Sequence, residues 1–352
     1  MSDQAGYRIN LSERDDLGGH EENHCLDSYD RGISSSLSAN DTAAGRPHEH
    51  GRVDLRLAKI AEDAIQVALY DYHRSMVVDT VRVESFLRAI YNTVKPGDVV
   101  VDIGTGTGLL AMIAVAAGAR KVYAIEEESI VNLARAIALA NGVEERVEFI
   151  VGKSTEIELP ETGDVLITET IGNAAFDEGI LTWVADARSR LLKPDARLIP
   201  GRLTLMGSLL ELPRDHAELE RLASALYTFD LSPLRDLAVN KMAWDDLSPV
   251  SVVSEPRILI DADLHEAPVS VSGSCVLVAR RDTTTHAVGV WFEALVADGL
   301  TLTNAPPNPA PSWQQGVIML EKPLELIAGD EVRVMVDVFD DGATWKYLVE
   351  RV

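Results

Sequence analysis

The sequence predicts an α/β protein in two parts, a doubly wound parallel sheet up to about residue 200 followed by an all-β half. Three observations carry this. Between residues 98 and 192, short apolar runs alternate with stretches of helical period, the pattern of strand–helix–strand units. The first of those junctions is glycine-rich, Gly104-Thr105-Gly106-Thr107-Gly108. After Pro200-Gly201 almost every apolar run has strand length, which predicts a barrel or sandwich.

Residues 1–50 are polar, rich in Ser, Asp, Gly and His and without apolar period; they read as a mobile or disordered tail. His20, His24, His48, His50 and Cys25 match no zinc spacing, so no metal is expected. Helical period runs from Val53 to Ile90. Leu57, Ile60, Ala64 and Val67 share one face of LRLAKIAEDAIQVALYDY, and HRSMVVDTVRVESFLRAIYN is a second helix ending before Pro96-Gly97. The predicted strands are then 98–104, 121–126, 147–152 and 163–169, and the helices 108–119, 129–141 and 177–192. Gly118, Asn141-Gly142 and Lys193-Pro194 close the three helices in turn. Beyond 201 six strand runs follow, interrupted by an amphipathic helical insertion over 214–239 and a proline-rich loop over 304–311. The expected domains are 51–200 and 201–352.

The net charge of −24 opposes nucleic acid, whose phosphates would be repelled, and favours a cationic partner. No apolar run reaches membrane-spanning length. The N-terminal residues lack a basic segment followed by an apolar one, so no signal peptide is expected. Cys25 and Cys275 make neither a disulfide framework nor a metal quartet, and a cytoplasmic location is the expectation.

The glycine turn lets backbone approach a ligand at a helix N-terminus. Asp102 precedes it, where it can face a cationic ligand or neighbouring backbone. Glu126 closes the next strand, 20 residues after Gly106, where an acid can hold two ribose hydroxyls. The dinucleotide fingerprint needs a third glycine where this chain has leucine, so D-x-G-x-G-x-G fits S-adenosylmethionine better than NAD. Ser154, Thr155 or Glu156, after the third strand, can bond an adenine amine. Glu169 and Glu178, nine residues apart after the fourth strand, face a methyl-donor site. Two carboxylates sharing a pocket need a cation between them, and a planar guanidinium matches their oxygens in pairs.

In order from about Tyr72 to the C-terminus, these motifs resemble the protein arginine methyltransferase family. HRSMVVDTVR resembles that family's helix over the bound cofactor, DIGTGTGLLAMIAVAAGARKVYAIE its first two motifs, and TETIGNAAFDE its double-glutamate loop. LYTFDLSPL (226–234) is similar to its dimerisation arm. The resemblance implies a Rossmann-like methyltransferase domain followed by a β-barrel with a helical dimerisation arm. It implies methyl transfer from S-adenosylmethionine to a guanidinium nitrogen, with Glu169 and Glu178 as catalytic and substrate-binding residues. Asp79, Met76 and Trp313 would support the acceptor. His73, Met76, Arg82, Asp102, Gly104, Gly106, Gly108, Glu126, Ser154, Thr155 and Glu169 would bind the cofactor, Arg82 through its methionine carboxylate. A homodimer is implied.

Two departures stand out. Pro311-Ser312-Trp313 falls where the family has Thr-His-Trp, so the family's His–Asp pair at Asp79 is missing. TIGNAAF is small and flexible where family loops are bulky. A roomier pocket follows, and with it free L-arginine or a small arginine-derived metabolite, as in bacterial relatives. A protein or peptide arginine is the alternative, and a non-catalytic cofactor-binding dimeric scaffold a third reading.

Overall fold

A computed structural model describes residues 67–223, 229–339 and 344–352. The expected N-terminal tail and the helix face of Leu57, Ile60 and Ala64 lie outside the described residues, as do Leu226 and the side chain of Ala223, two of the four arm residues (with Leu219 and Leu222) whose shared apolar face the sequence offers as a dimer surface.

Helices α1 (Val67–Val78) and α2 (Thr80–Thr93) open the fold. The sequence places a helix boundary between Tyr72 and His73; the structure runs helix through it and breaks at Asp79. There the backbone is extended, with φ −72° and ψ 96°, and the side chain accepts the Arg82 N–H. An aspartate that satisfies an orphan N–H of the next turn starts a new helix, and this outweighs the continuous apolar period on which the sequence reading relies.

The parallel sheet comprises β1 (Val99–Ile103), β2 (Lys121–Glu126), β3 (Val147–Val151), β4 (Gly163–Thr168) and β5 (Leu192–Ile199), in the order β3-β2-β1-β4-β5. Helices α3 (Leu109–Ala117), α4 (Val131–Ala140) and α5 (Ile180–Arg190) make the crossovers. All five residues of β1 are buried, as expected for a central strand covered on both faces. The strand order reverses between β1 and β4, and α/β sheets bind ligands at such a switch point. Helix α5 ends at Arg190, short of the predicted Lys193-Pro194 stop. Pro194 sits inside β5, at the sheet edge, where a missing N–H is tolerated.

The second half begins with β6 (Arg202–Leu210). The arm follows as two helices, α6 (Pro213–Ala223) and α7 (Ser232–Val239). Strands β7 (Ala243–Asp245), β8 (Arg257–Asp263), β9 (Val271–Val278), β10 (Thr283–Ala297), β11 (Leu300–Thr303), β12 (Gln315–Leu326), β13 (Glu331–Val338) and β14 (Trp345–Arg351) complete it. They form two antiparallel sheets, β7-β12-β10-β6-β8 with β11 on β10, and β14-β13-β9. Among the described residues no ladder joins β8 to β9, so the barrel is not strictly closed. β7, β11 and β14 are absent from the sequence reading: β7 is three exposed residues and β11 only four residues, whereas β14 does alternate, with Trp345, Tyr347 and Val349 packed on the core between exposed positions, a period-two signal the sequence reading passes over.

One apolar core runs from Phe86 through Leu166 in the parallel sheet to Phe292 and Val334 in the antiparallel ones. The two predicted domains therefore share an interior. None of the described helices is long and apolar enough to cross a membrane.

Candidate active site

The C-terminal ends of β1, β2, β3 and β4 open onto a cavity of about 760 Å³, roofed by Tyr72, His73 and Met76 of α1 and walled by Ser312 and Trp313. Its size suits a small-molecule site.

At the donor end, Gly104 and Gly106 line the cavity with φ of +71° and +54°, a region that favours glycine. A Cβ at Gly104 would meet Thr170 Cγ2 at 2.8 Å, and one at Gly106 the His73 ring at 3.0 Å. The Glu126 carboxylate accepts the N–H groups of Gly106 and Glu128, both at 2.9 Å. Burial raises its pKa, with those N–H groups opposing. Ser154 Oγ is buried at the cavity wall with no partner, which leaves a polar atom for a ligand to satisfy. This cradle of close-approach glycines, a strand-end acid and an orphaned hydroxyl fits S-adenosylmethionine. His73 lies above Gly106; burial first and Arg82 second lower its pKa, which keeps the imidazole neutral.

Five expected residues do not line the cavity; one is Glu156, exposed in the short helix after β3. Asp102 is buried beneath the glycine turn, where it accepts the Thr105 hydroxyl at 2.5 Å. Burial pushes its carboxyl up to about 7. It shapes the turn and does not face a cationic ligand. Gly108 packs against Phe149 and Ala134. Thr155 is half-buried in the short helix after β3, leaving its neighbours Lys153 and Ser154 on the wall. Asp79 accepts the backbone N–H groups of Arg82 and Ser312, both at 3.0 Å. Where a histidine partner is missing, a main-chain donor holds that aspartate instead, and Ser312 Oγ is left buried without a partner.

Arg82, Glu169, Glu178 and Trp313 line the same cavity. Arg82 donates from Nε to Glu169 Oε2 at 2.7 Å, and Nη2 bonds the same oxygen. Its Nη1 donates to the Met76 carbonyl at 3.2 Å, and its guanidinium lies 5.9 Å from the Trp313 ring centre, within cation–π range. All three nitrogens thus have protein partners. Burial raises the Glu169 pKa, with Arg82 and the Ile171 N–H opposing.

Glu178 is exposed by surface area yet lines the cavity, where the surrounding protein still desolvates its carboxyl. Desolvation first, then the Glu169 and Asp177 carboxylates, push its carboxyl up to about 8. Between its jaws the loop is small but not loose. Ile171, Ala174, Ala175 and Phe176 are buried, and Asp177 accepts the N–H groups of Asn173 and Ala174 at 3.2 and 2.7 Å. A side chain at Gly172 would sit 2.2 Å from Asp177 Oδ1. The small residues that suggest flexibility in the sequence are instead what allows this tight turn.

Sequence reasoning misses Tyr72, Asn173 and Trp183, which line the cavity. Tyr72 neighbours His73 on α1, and adjacent helix positions do not share a face. Burial, with Glu178 and Glu169 nearby, pushes its hydroxyl up to about 12. Trp183 donates from Nε1 to the Glu178 carbonyl at 3.0 Å, which fixes the start of α5 beneath the second glutamate.

Residues 216–346 match the arginine methyltransferase oligomerization subdomain, and residues 83–200 match the ribosomal protein L11 methyltransferase (PrmA) family. The chain is 32% identical over 271 residues to the arginine N(omega)-methyltransferase of Streptomyces achromogenes subsp. streptozoticus, covering 74% of this chain and 73% of that one. It is 28% identical over 323 residues to protein arginine N-methyltransferase 6 of Danio rerio, covering 86% and 93%. The Trypanosoma brucei PRMT1 enzyme-prozyme heterotetrameric complex with AdoHcy superposes with a TM-score of 0.72 at 26% identity, covering 80% of this chain and 97% of that one.

Proposed function

Since the chain belongs to the protein arginine methyltransferase family and is an S-adenosylmethionine-dependent arginine N-methyltransferase, we propose that its acceptor is free L-arginine or a small arginine-derived metabolite. The observation that carries the guanidinium reading is the pair Glu169 and Glu178 on one cavity with Trp313. The small-substrate reading is supported by the Streptomyces relative named for arginine rather than for protein arginine. Incubating the enzyme with labelled S-adenosylmethionine and either L-arginine or an arginine-rich peptide, followed by mass spectrometry, separates the two acceptor classes.

S-Adenosylmethionine supplies a methyl activated by a sulfonium. Gly104, Gly106, Glu126, Ser154, His73, Met76 and Arg82 would hold it. Glu169 and Glu178 grip the acceptor guanidinium, gather its positive charge on the nitrogens they touch, and leave one nitrogen aimed along the cavity. Positioning of this kind supplies much of an enzyme's rate. Glu169 already neutralises Arg82. Glu178, pushed up to about 8, has a proton affinity suited to taking the guanidinium proton as the methyl is gained, with its Oε atoms as the acceptor.

This has a pH signature. The guanidinium is charged throughout and binds the ionised Glu178. Protonation of Glu178 below its raised pKa therefore weakens the acceptor site. The expected result is that kcat/KM for arginine rises about tenfold per pH unit up to about pH 8, then levels off. A profile flat from about pH 6 to about pH 9 contradicts the assignment.

The chain is further proposed to be a homodimer. Leu219 and Leu222 of the arm are half-buried, and Leu219 packs on the protein's own second apolar cluster. Among the described arm residues the exposed large apolar ones are instead Phe229, Leu234 and Leu237, each more than half exposed. Light scattering is expected to give twice the chain mass of 38.3 kDa, and Leu234→Glu with Leu237→Glu to halve it. A wild-type monomer at micromolar concentration counts against the dimer.

A further inference from the structure

The two walls of the acceptor end are built from distant parts of the chain, yet one buried side chain touches both. Asn304 follows β11 and has no exposed surface. Its Oδ1 accepts the N–H of Phe292 in β10 at 2.8 Å. Its Nδ2 donates to the Asn173 carbonyl at 2.9 Å and to the Gln314 carbonyl at 2.6 Å. Asn173 is the middle of the loop between the two glutamates, and Gln314 follows Trp313. An amide has one oxygen and two N–H donors. Here the oxygen meets a donor and both N–H groups meet carbonyls, so the partners fix which way the amide points.

Further bonds reinforce the same joint. The Gln314 N–H donates to Asn173 Oδ1 at 2.7 Å. Trp313 Nε1 donates to the Ile171 carbonyl at 2.7 Å. Gln315 Nε2 donates to the Asn304 carbonyl at 2.6 Å and its Oε1 accepts the Leu247 N–H at 2.7 Å. The loop carrying Glu169 and Glu178 is therefore clamped at its centre to the antiparallel sheet that holds β10, β11 and β12, and Asn304 bonds both walls.

We propose that Asn304 is a positioning residue for methyl transfer, setting the separation of the double-glutamate loop from the Ser312-Trp313 wall and thereby the geometry of the acceptor clamp. It does not line the cavity, so it acts through Asn173 and Gln314, the neighbour of Trp313. This rests on the reading of Glu169 and Glu178 as the acceptor clamp. Displacement of the loop by about 1 Å is enough to cost about 100-fold in rate. A loosened loop also admits water to Glu178 and lets its pKa fall back toward the usual carboxylate range.

The test is Asn304→Asp, which keeps the shape but turns an acceptor toward two carbonyls. Asn173→Ala, which removes the Gln314 anchor from a half-buried position, is the milder second variant, and Glu178→Gln the control for the clamp itself. Each is measured for kcat and KM with L-arginine and an arginine-rich peptide, for kcat/KM against pH, for S-adenosylhomocysteine affinity by calorimetry, and for melting temperature. The inference expects Asn304→Asp to lower kcat/KM about 100-fold, shift its acidic limb downward from about 8, and leave S-adenosylhomocysteine affinity within about threefold. Asn173→Ala should move the same quantities in the same direction by less. If Asn304→Asp is as active as wild type, or if cofactor affinity, activity and melting temperature fall together in both variants with the pH profile unmoved, the positioning role is overturned. A Glu178→Gln enzyme that retains activity overturns the clamp reading instead, so the two failures are distinguishable.

Discussion

Glu178→Gln should lower kcat by about 10³-fold while leaving S-adenosylhomocysteine affinity unchanged, because the substitution removes charge where a cation must be held and a proton accepted. Glutamine preserves the shape of the side chain, and the Trp183 bond to the Glu178 main-chain carbonyl does not depend on the carboxylate. Folding should therefore survive. The acidic limb of the kcat/KM profile should vanish with the carboxyl. Glu169→Gln is a different experiment, since Glu169 also carries Arg82; it should reduce both activity and cofactor affinity. A Glu178→Gln enzyme within about tenfold of wild type would remove that carboxylate from the chemistry.

Arg82→Ala should be the most destabilising single change at the site. The Arg82 and Glu169 side chains retain only 11% and 5% of their surface, and removing one partner of a buried pair leaves the other uncompensated, at a cost of about 3–5 kcal/mol. The Met76 carbonyl also loses its donor, and α1 loses a link to the cavity floor. Arg82→Lys keeps a charge but cannot present a planar fork to Glu169 Oε2, so an intermediate loss is expected. Denaturant midpoints for the three proteins, read alongside cofactor calorimetry, check this. Equal stability of wild type and Arg82→Ala would show that the pair contributes nothing.

Much of the parallel sheet is legible in the sequence because its strands are apolar and bounded by turn residues. KVYAIE coincides with β2, and the predicted start of β4 at Gly163 is where the strand begins. Boundaries decided by a side chain are less legible. The break at Asp79 depends on its bond to the Arg82 N–H, and β5 continues through Pro194 because an edge tolerates it. At the site, motif spacing brings Arg82, Gly104, Gly106, Glu126, Glu169 and Glu178 to one cavity. It says nothing of depth, so Asp102, Gly108 and Thr155 are read as ligand-facing when the structure turns them to packing or the surface. Asn304 is the limiting case. In a proline-rich loop an asparagine reads as a turn residue, and its partner Asn173 lies 131 positions away. Only the assembled fold brings them together.

The most direct test of the account is the site and identity of the transferred methyl. With labelled S-adenosylmethionine, L-arginine and an arginine-rich peptide offered together, mass spectrometry and fragmentation should place the label on a guanidinium nitrogen of free arginine. Glu178→Gln should abolish it. Label confined to the peptide contradicts the small-substrate reading. Label on neither acceptor, or on a group other than a guanidinium, contradicts the clamp of Glu169 and Glu178 as the origin of acceptor choice.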